Sequence, residues 1–147
     1  MKLSQHMRPS ELKIRALFDD GEDRARLEEW IAGDDDHRRK HLNPDFFYAP
    51  NTLGLCFEDS WGPVFYVRVD PEAGSLVRVH IQFESGQTLR TARTLAMGFA
   101  VFLDRVRQTS AKKLVFDSVS GRLRSFCINR FGFHVIPGSD DLELEIG

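Results

Sequence analysis

The sequence LVRVHIQF at residues 76–83 is followed by TARTLAMGFAVFLDRVRQT at residues 91–109 and by LVFD at residues 114–117. The first segment alternates apolar and polar residues, which predicts a β-strand. The second has a wide apolar stripe from Leu95 to Val106, which predicts a long helix packed against a sheet. The third predicts a short buried strand. This succession predicts a helical crossover over a mixed sheet.

The strand at residues 76–83 is predicted to have one apolar and one polar face, because successive side chains of a strand point to opposite sides. Val77, Val79, Ile81 and Phe83 share the apolar face, and Arg78, His80 and Gln82 form a polar row. Arg68 is expected on the neighbouring strand; if it shares a face with Arg78, the two favour an acidic acceptor. The register between the strands decides this, and the sequence does not fix it.

Further helices and strands are predicted on both sides of residues 76–117. A helix is indicated by the apolar spacing of Leu27, Trp30 and Ile31. The fold class predicted is α+β (α/β), with a mixed central sheet of about six to seven strands and helices on both faces, in a single domain over residues 1–147. Further strands are predicted at residues 11–18, 53–57, 64–69, 134–136 and 142–146, the last at an edge because its glutamates are exposed, and a short helix at residues 121–129.

Composition agrees with a globular protein. The chain has 147 residues, of which 41% are hydrophobic and 29% are charged, so it has enough apolar residues to exclude disorder. Its two cysteines give no disulfide framework, and its longest apolar run, residues 95–103, is too short to cross a bilayer. We therefore expect a cytoplasmic protein that does not contact the membrane.

The charge is unevenly distributed. The net charge is −2, yet residues 86–133 hold seven arginines and two lysines against Asp104 and Asp117. This local excess suggests an anionic ligand, although solvated helix faces would account for it too. Nucleic acid is not favoured, because the chain as a whole is slightly acidic. His37 and His41 are four residues apart but lack a third ligand, so we expect a charged solvated face rather than a metal site.

The order of elements, together with the sequence Arg130-Phe131-Gly132-Phe133, resembles the GNAT family of acyl-CoA N-acyltransferases over residues 64–136. The resemblance implies that the fourth and fifth strands splay apart and hold acyl-CoA, with acetyl-CoA the first choice, between them. It also implies a small-molecule or protein amine as acceptor. A homodimer is left open, and no metal is expected.

GNAT proteins bind the CoA pyrophosphate on backbone N–H groups at the start of the long helix, in a loop with the pattern Gln/Arg-x-x-Gly-x-Gly/Ala. Counting back from the 114–117 strand places this pattern on residues 90–95, where Arg90 matches and Arg93 and Leu95 replace the small residues. Arg93 either bonds a phosphate or blocks the site. Alternatively, Thr91 or Thr94 caps the helix and the arginines face solvent. The cofactor-binding residues implied are Phe83, Arg90, Thr91, Ala92, Arg93, Thr94 and Leu95.

The catalytic candidates follow from the same resemblance. The family's proton-donating tyrosine is replaced by Ile128, which cannot donate a proton. Ser120, or Ser118 before it, is the nearest candidate donor. Glu84 and His80 are candidate bases for the attacking amine, because a histidine titrates near neutral pH. The alternatives without a catalytic role are that Glu84 lies in an exposed turn and that His80 is a hydrogen-bonded, inward-facing side chain.

Three functions follow from these observations. The first is an acyl-CoA-dependent N-acyltransferase acting on an amine. The second is a catalytically inactive GNAT-like binding or interaction domain, favoured by the altered loop and by the missing tyrosine. The third is a nucleic-acid binder using residues 86–133, which has no recognised motif.

Overall fold

A computed structural model describes residues 11–18, 21–72, 75–84, 86, 89–118 and 120–146. Its centre is a seven-stranded mixed sheet, as predicted, with the strand order β1-β2-β3-β4-β5-β7-β6. All neighbouring strands are antiparallel except β4 and β5. The strands are β1 (Lys13–Ala16), β2 (Leu53–Asp59), β3 (Gly62–Glu72), β4 (Leu76–Phe83), β5 (Lys113–Asp117), β6 (His134–Val135) and β7 (Asp141–Glu145).

Four α-helices connect or flank these strands: α1 (Glu22–Ala32), α2 (Asp35–Arg39), α3 (Leu89–Arg107) and α4 (Gly121–Phe131). A 3₁₀ helix at Pro44–Tyr48 was not anticipated from the sequence. The amides of His37 and Leu123 each donate to the residue that caps their helix, Asp34 for α2 and Ser120 for α4. These caps explain why both short helices begin where they do.

The helices cover both faces of the sheet, as the sequence predicts. On one face, α3 and α4 pack on a continuous apolar layer that includes Phe57, Phe65, Val79, Phe99 and Phe116. On the other face, α1 and the 3₁₀ helix enclose a second cluster formed by Leu27, Trp30, Ile31, Phe47, Cys56 and Tyr66. Both cysteines are buried and unpaired, and burial raises the pKa of each thiol to about 12.

The edge position predicted for the last strand is wrong. β7 lies between β5 and β6, and its pairing with β5 runs from Lys113–Glu145 to Asp117–Asp141. Glu143 is not a solvent-facing edge residue, because its carboxylate lies 3.3 Å from Lys113 Nζ and 3.6 Å from His134 Nε2. Apolar alternation is the same in an edge strand and in an inner strand whose polar side chains are paired.

Helix α3 approaches the sheet closely at Gly98. A Cβ atom there would lie 2.7 Å from Cδ2 of Phe57, whose side chain is fully buried. We expect Gly98→Val to lower the free energy of unfolding by about 1–3 kcal/mol through overpacking, as measured by urea unfolding. Ala100→Val, at an exposed position of the same helix, is the control and should cost only about 0.5 kcal/mol. Equal effects of the two substitutions would contradict this close approach.

None of the helices in the described ranges combines the length and the apolar character that a bilayer span requires.

Candidate active site

The parallel strands β4 and β5 diverge at one end. Their register pairs Leu76 with Lys113 and ends with Val79 opposite Phe116. β4 continues from His80 to Phe83 against β3, whereas β5 stops at Asp117. Since alternate N–H groups of a strand point to opposite sides, the end of β4 presents backbone amides to the open side as well as to β3. The pairing of β4 with β5 therefore ends before β4 does, and we call the space beyond this point the gap between the two strands.

A cavity lies on each side of this gap. The cavity on the side of α2 measures about 290 Å³, and we call it the α2-side cavity. The cavity beside the start of α3 measures about 440 Å³, and we call it the α3-side cavity. Phe83 and Leu123 line both, so the two cavities meet where β4 and β5 separate.

The α3-side cavity is built on the first two turns of α3. Leu89, Thr91, Ala92 and Leu95 line it, together with Arg122 and Phe126 of α4. The first amides of an α-helix have no acceptor within the helix, and the helix dipole favours an anion at this end. The cavity thus combines the N-terminal end of α3, the side chain of Arg122 and an apolar wall, which suits a phosphate attached to a less polar chain.

The remaining cofactor-binding candidates lie outside the lining of this cavity. Arg90 turns toward the β2–β3 turn, where Nε and Nη2 bond the Asp59 carboxylate at 2.6 and 2.7 Å and Nη2 donates to the Gly62 carbonyl at 2.9 Å. The hydrogen bonds to Asp59 raise the pKa of Arg90. Arg90 therefore ties α3 to the sheet as placed, and a role in phosphate binding stays a prediction.

Arg93 and Thr94 lie within α3 rather than in a loop. Thr94 is buried, and Nη1 of Arg93 is buried without a hydrogen-bond partner in the described part of the chain. The alternative that Thr91 or Thr94 caps the helix is wrong, because α3 begins at Leu89. Its start lies two residues before the predicted one.

His80 lies at the point where the gap opens and lines the α2-side cavity. Its Nε2 is 3.3 Å from Oδ2 of Asp70, and its Nδ1 is 4.0 Å from Oδ1 of Asp117. The ring also packs edge-on against Phe46, with the centroids 4.9 Å apart. Burial lowers the pKa of His80, and the carboxylates of Asp70 and Asp117 oppose this shift. The imidazole is therefore mostly neutral at pH 7, as a base requires.

The geometry favours one tautomer of His80. A carboxylate only accepts hydrogen bonds, so the tautomer with its proton on Nε2 suits the contact with Asp70. The Nδ1 lone pair then faces Asp117 across 4.0 Å. Two acceptors at this separation leave room for a group that donates one N–H to each. An amine is such a group.

The other two catalytic candidates are placed differently. Ser120 lines the α2-side cavity beside Ser118, and its Oγ accepts the amide of Leu123 at 3.2 Å. Its hydroxyl proton is still free for another acceptor, because the helix cap uses only a lone pair. Glu84 follows β4 at an exposed position and lines neither cavity. Both roles stay predictions.

Gln82, which the sequence analysis did not select, anchors α2 to the end of β4. It is fully buried, and its Nε2 donates to the Phe83 carbonyl at 2.8 Å and to Oδ2 of Asp34 at 3.2 Å. Its Oε1 lies 2.6 Å from Nδ1 of His37. The expectation of a merely solvated face is thus wrong for His37. The available signal was weak, because Gln82 belongs to the polar row of β4 and only its full burial shows that its amide needs partners.

The two arginines that were expected to attract an acidic acceptor are already engaged. Arg68 bonds Oδ1 of Asp70 at 2.7 Å and the Phe46 carbonyl at 2.9 Å. Arg78 bonds Oδ1 of Asp141 at 3.1 Å. The register pairs Arg68 with His80 and Asp70 with Arg78. Their charges are therefore balanced by neighbouring carboxylates, and the case for an acidic acceptor is lost.

Neither a protein-family model nor a curated protein matches the sequence. Solved structures match over most of the chain. An aminoglycoside 6'-acetyltransferase type Ii has a TM-score of 0.67 at 11% identity, covering 92% of this chain and 97% of its own. The N-acetyltransferase YhbS from Escherichia coli, solved with CoA, has a TM-score of 0.60 at 20% identity, covering 93% of this chain and 82% of its own. The structure of yncA from Salmonella typhimurium with acetyl-CoA has a TM-score of 0.62 at 13% identity, covering 93% of this chain and 95% of its own.

The chain has the GNAT fold. The Gly-Phe exit from α4 that suggested the GNAT resemblance is also well defined: Gly132 ends the helix with a φ of +82°, a conformation that favours glycine. The position of the GNAT tyrosine, Ile128, packs partly buried against the core of the α3 face. No tyrosine lines either cavity in the described ranges.

The described residues contain no group of three histidine, cysteine, aspartate or glutamate side chains placed to hold a metal ion.

Proposed function

We propose that the chain is an acyl-CoA-dependent N-acyltransferase that uses acetyl-CoA and acts on an amine. The observation that carries this proposal is the gap between β4 and β5, with one cavity on each side and His80 at the junction. A two-substrate transfer needs both reactants to meet at one point from different directions. This arrangement supplies that geometry.

The α3-side cavity suits CoA. The first-turn amides of α3 and the guanidinium of Arg122 would hold the pyrophosphate, and the apolar wall would accompany the pantetheine arm. Moved three residues upstream, the loop pattern reads Gln87-Thr88-Leu89-Arg90-Thr91-Ala92, which matches at Gln87 and at Ala92. Gln87 and Thr88 lie outside the described residues. This register places the pattern at the start of α3, whereas residues 90–95 lie wholly inside the helix.

The α2-side cavity suits the amine. A neutral amine there would donate one N–H to Nδ1 of His80 and another to Asp117. Bound acetyl-CoA supplies a thioester carbonyl carbon, to which the amine nitrogen forms a bond while the carbon–sulfur bond breaks and the thiolate leaves. His80 takes the proton that the nitrogen loses. Backbone amides of the diverging end of β4 would stabilise the negative charge on the carbonyl oxygen.

The departing thiolate requires a proton from a group other than the GNAT tyrosine. The hydroxyls of Ser118 and Ser120 line the same cavity as His80 and are the nearest side-chain donors. A proton delivered from His80 through Ser120 or a water would return the imidazole to its neutral state. Asp70 is a positioning residue in this scheme, because its carboxylate orients the ring by accepting from Nε2.

The experiment that tests the function is release of free CoA thiol from acetyl-CoA in the presence of primary amines. We expect thiol release to require both an amine and an intact His80. The replacement of the tyrosine by Ile128 favours a second candidate, a GNAT-fold domain that binds CoA without turnover. Saturable acetyl-CoA binding without amine-dependent thiol release would support that candidate.

Arg122→Gln is expected to weaken CoA binding about tenfold by removing one charge-assisted hydrogen bond to a phosphate. Isothermal titration calorimetry with CoA measures this change. Arg105→Gln removes the same charge from the last turn of α3 and should leave the affinity unchanged. Equal dissociation constants for the two variants would show that Arg122 does not contact the cofactor.

A further inference from the structure

The inference below deepens the proposed function and rests on it, because it concerns which amine the α2-side cavity accepts. Three carboxylates line this cavity, Asp34 and Asp36 on the α2 side and Asp117 at the end of β5. Lys40 is its only lysine or arginine in the described lining, and its Nζ lies 3.0 Å from Oδ2 of Asp36. Neither Asp34 nor Asp117 has a lysine or arginine partner within 4.0 Å among the described residues. The cavity therefore carries an excess of negative charge.

The arginines of the strands that carry His80 and its neighbour Arg68 do not neutralise this negative charge. Arg68 and Arg78, the cations nearest to His80, are each bonded to other carboxylates, namely Asp70 and Asp141. Asp34 accepts hydrogen bonds from the amide of His37 and from the side-chain amide of Gln82, and its Oδ2 also lies 3.2 Å from Nδ1 of the His37 imidazole. Hydrogen bonds of this kind stabilise a carboxylate in its charged form.

Lys40, which lines the cavity, shows that its carboxylates stabilise an ammonium group. The hydrogen bond to Asp36 raises the pKa of Lys40, and the charges of Asp117 and Asp140 raise it further. Asp117 lies on the opposite wall from α2, at the end of β5. A positive charge at the mouth of the cavity is thus stabilised from both sides.

We propose that the acceptor is a diamine or polyamine whose reacting amine sits between His80 and Asp117 while a second, protonated amine binds at Asp34. A single amine meets conflicting demands here, since the carboxylates favour its protonated form and attack requires its neutral form. A second ammonium group separates the two tasks: it supplies the attraction, and the first group gives up its proton to His80. The occupant is defined by two amino groups on a flexible apolar chain.

The test compares three acceptors of equal chain length: 1,4-diaminobutane, butylamine and 4-aminobutyrate. We expect kcat/KM to fall by about tenfold from the diamine to butylamine, and further for the amino acid, because each step changes the charge at Asp34. Thermal unfolding with each amine and no acetyl-CoA gives a second readout. The diamine should raise the melting temperature most, since ligands that bind only the folded state stabilise it.

Two variants sharpen the test. Asp34→Asn retains the ability to cap α2 and should lower kcat/KM for the diamine about tenfold, so that the preference for the diamine over butylamine is lost. Lys40→Gln removes the competing cation and should raise kcat/KM for the diamine. Asp104→Asn, an exposed position on α3 outside both cavities, controls for net charge.

Each outcome decides between the proposals. Equal kcat/KM for the diamine and butylamine, or equal behaviour of the Asp34 and Asp104 variants, overturns the diamine assignment and leaves the acyltransferase proposal standing. Thiol release with none of the amines, despite acetyl-CoA binding, overturns both. Preference for the diamine that is lost in Asp34→Asn alone supports both.

Discussion

Replacing His80 with glutamine is expected to lower kcat/KM for amine acetylation by about 100- to 10,000-fold, the usual contribution of a general base. Glutamine retains a polar side chain but cannot take up the proton that the amine loses. The dissociation constant for acetyl-CoA should not change, because His80 faces the α2-side cavity and not the α3-side cavity. Steady-state thiol-release kinetics and calorimetric binding together measure the two quantities.

The pH profile separates a base from a structural histidine. Burial lowers the pKa of His80 against the opposing influence of Asp70 and Asp117, while Arg68 and Arg78 lower it further. The acid limb of kcat/KM should therefore lie below pH 6.5, the ordinary value for histidine. His134→Gln, in the distant strand β6, is the matched control and should change neither rate nor profile. Retention of full activity in His80→Gln would remove His80 from the mechanism.

Replacing Asp23 with alanine is expected to destabilise the fold by about 3 kcal/mol or more, the typical cost of breaking a buried ion pair. Asp23 is 1% exposed, and its carboxylate accepts two hydrogen bonds from Arg15, at 2.8 and 3.0 Å. It also accepts the Tyr66 hydroxyl at 2.6 Å and the Phe18 amide at 2.8 Å. Removing it leaves these donors short of an acceptor in the α1 face of the core.

The same residue predicts a loss of stability in acid. Burial raises the pKa of Asp23, but the hydrogen bonds from Arg15, Tyr66 and Phe18 outweigh it and lower the pKa from 3.8 to about 2. The folded state thus favours the charged form, so its contribution is full above about pH 4 and is lost as the pH falls toward 2. That contribution is about 2 kcal/mol.

Urea unfolding between pH 7 and pH 2 measures both effects of Asp23. Between pH 4 and pH 2 the wild type should lose about 2 kcal/mol more than Asp23→Ala does. Asp45→Ala removes a carboxylate of a solvent-exposed pair with Arg24 and should cost less than about 1 kcal/mol. An Asp23 variant as stable as the Asp45 variant would contradict the assigned role of this network.

The arrangement of the sheet could be predicted where local patterns are strong. The alternation in β4 assigned Ile81 and Phe83 to an apolar face and His80 to a polar row. In the structure Phe83 lies in the cluster under α3 and α4 with Ile81 packed against it, whereas His80 contacts Asp70. The position of β7 could not be predicted, because Glu143 is paired with Lys113 and His134, and these pairs depend on which strands lie on either side of β7. Local alternation does not identify the strand's neighbours.

The site was predicted less completely than the fold. His80 was selected because histidine titrates near neutral pH, but its partners Asp70 and Asp117 come from two other strands and depend on register. Arg90 was selected by its place in a loop pattern, and the structure shows it bound to Asp59 on the β2–β3 turn. Charge counted along the sequence does not reveal which cations are already paired. Arg122 was not selected, because it lies outside the loop pattern, yet it lines the α3-side cavity.

The central claim is that the gap between β4 and β5 receives acyl-CoA. Isothermal titration calorimetry of the wild-type chain with acetyl-CoA tests it most directly. We expect saturable binding of one molecule per chain, weakened in Arg122→Gln and unchanged in Arg105→Gln. Absence of binding at millimolar acetyl-CoA, in a sample shown to be folded by its cooperative thermal unfolding, would contradict the account.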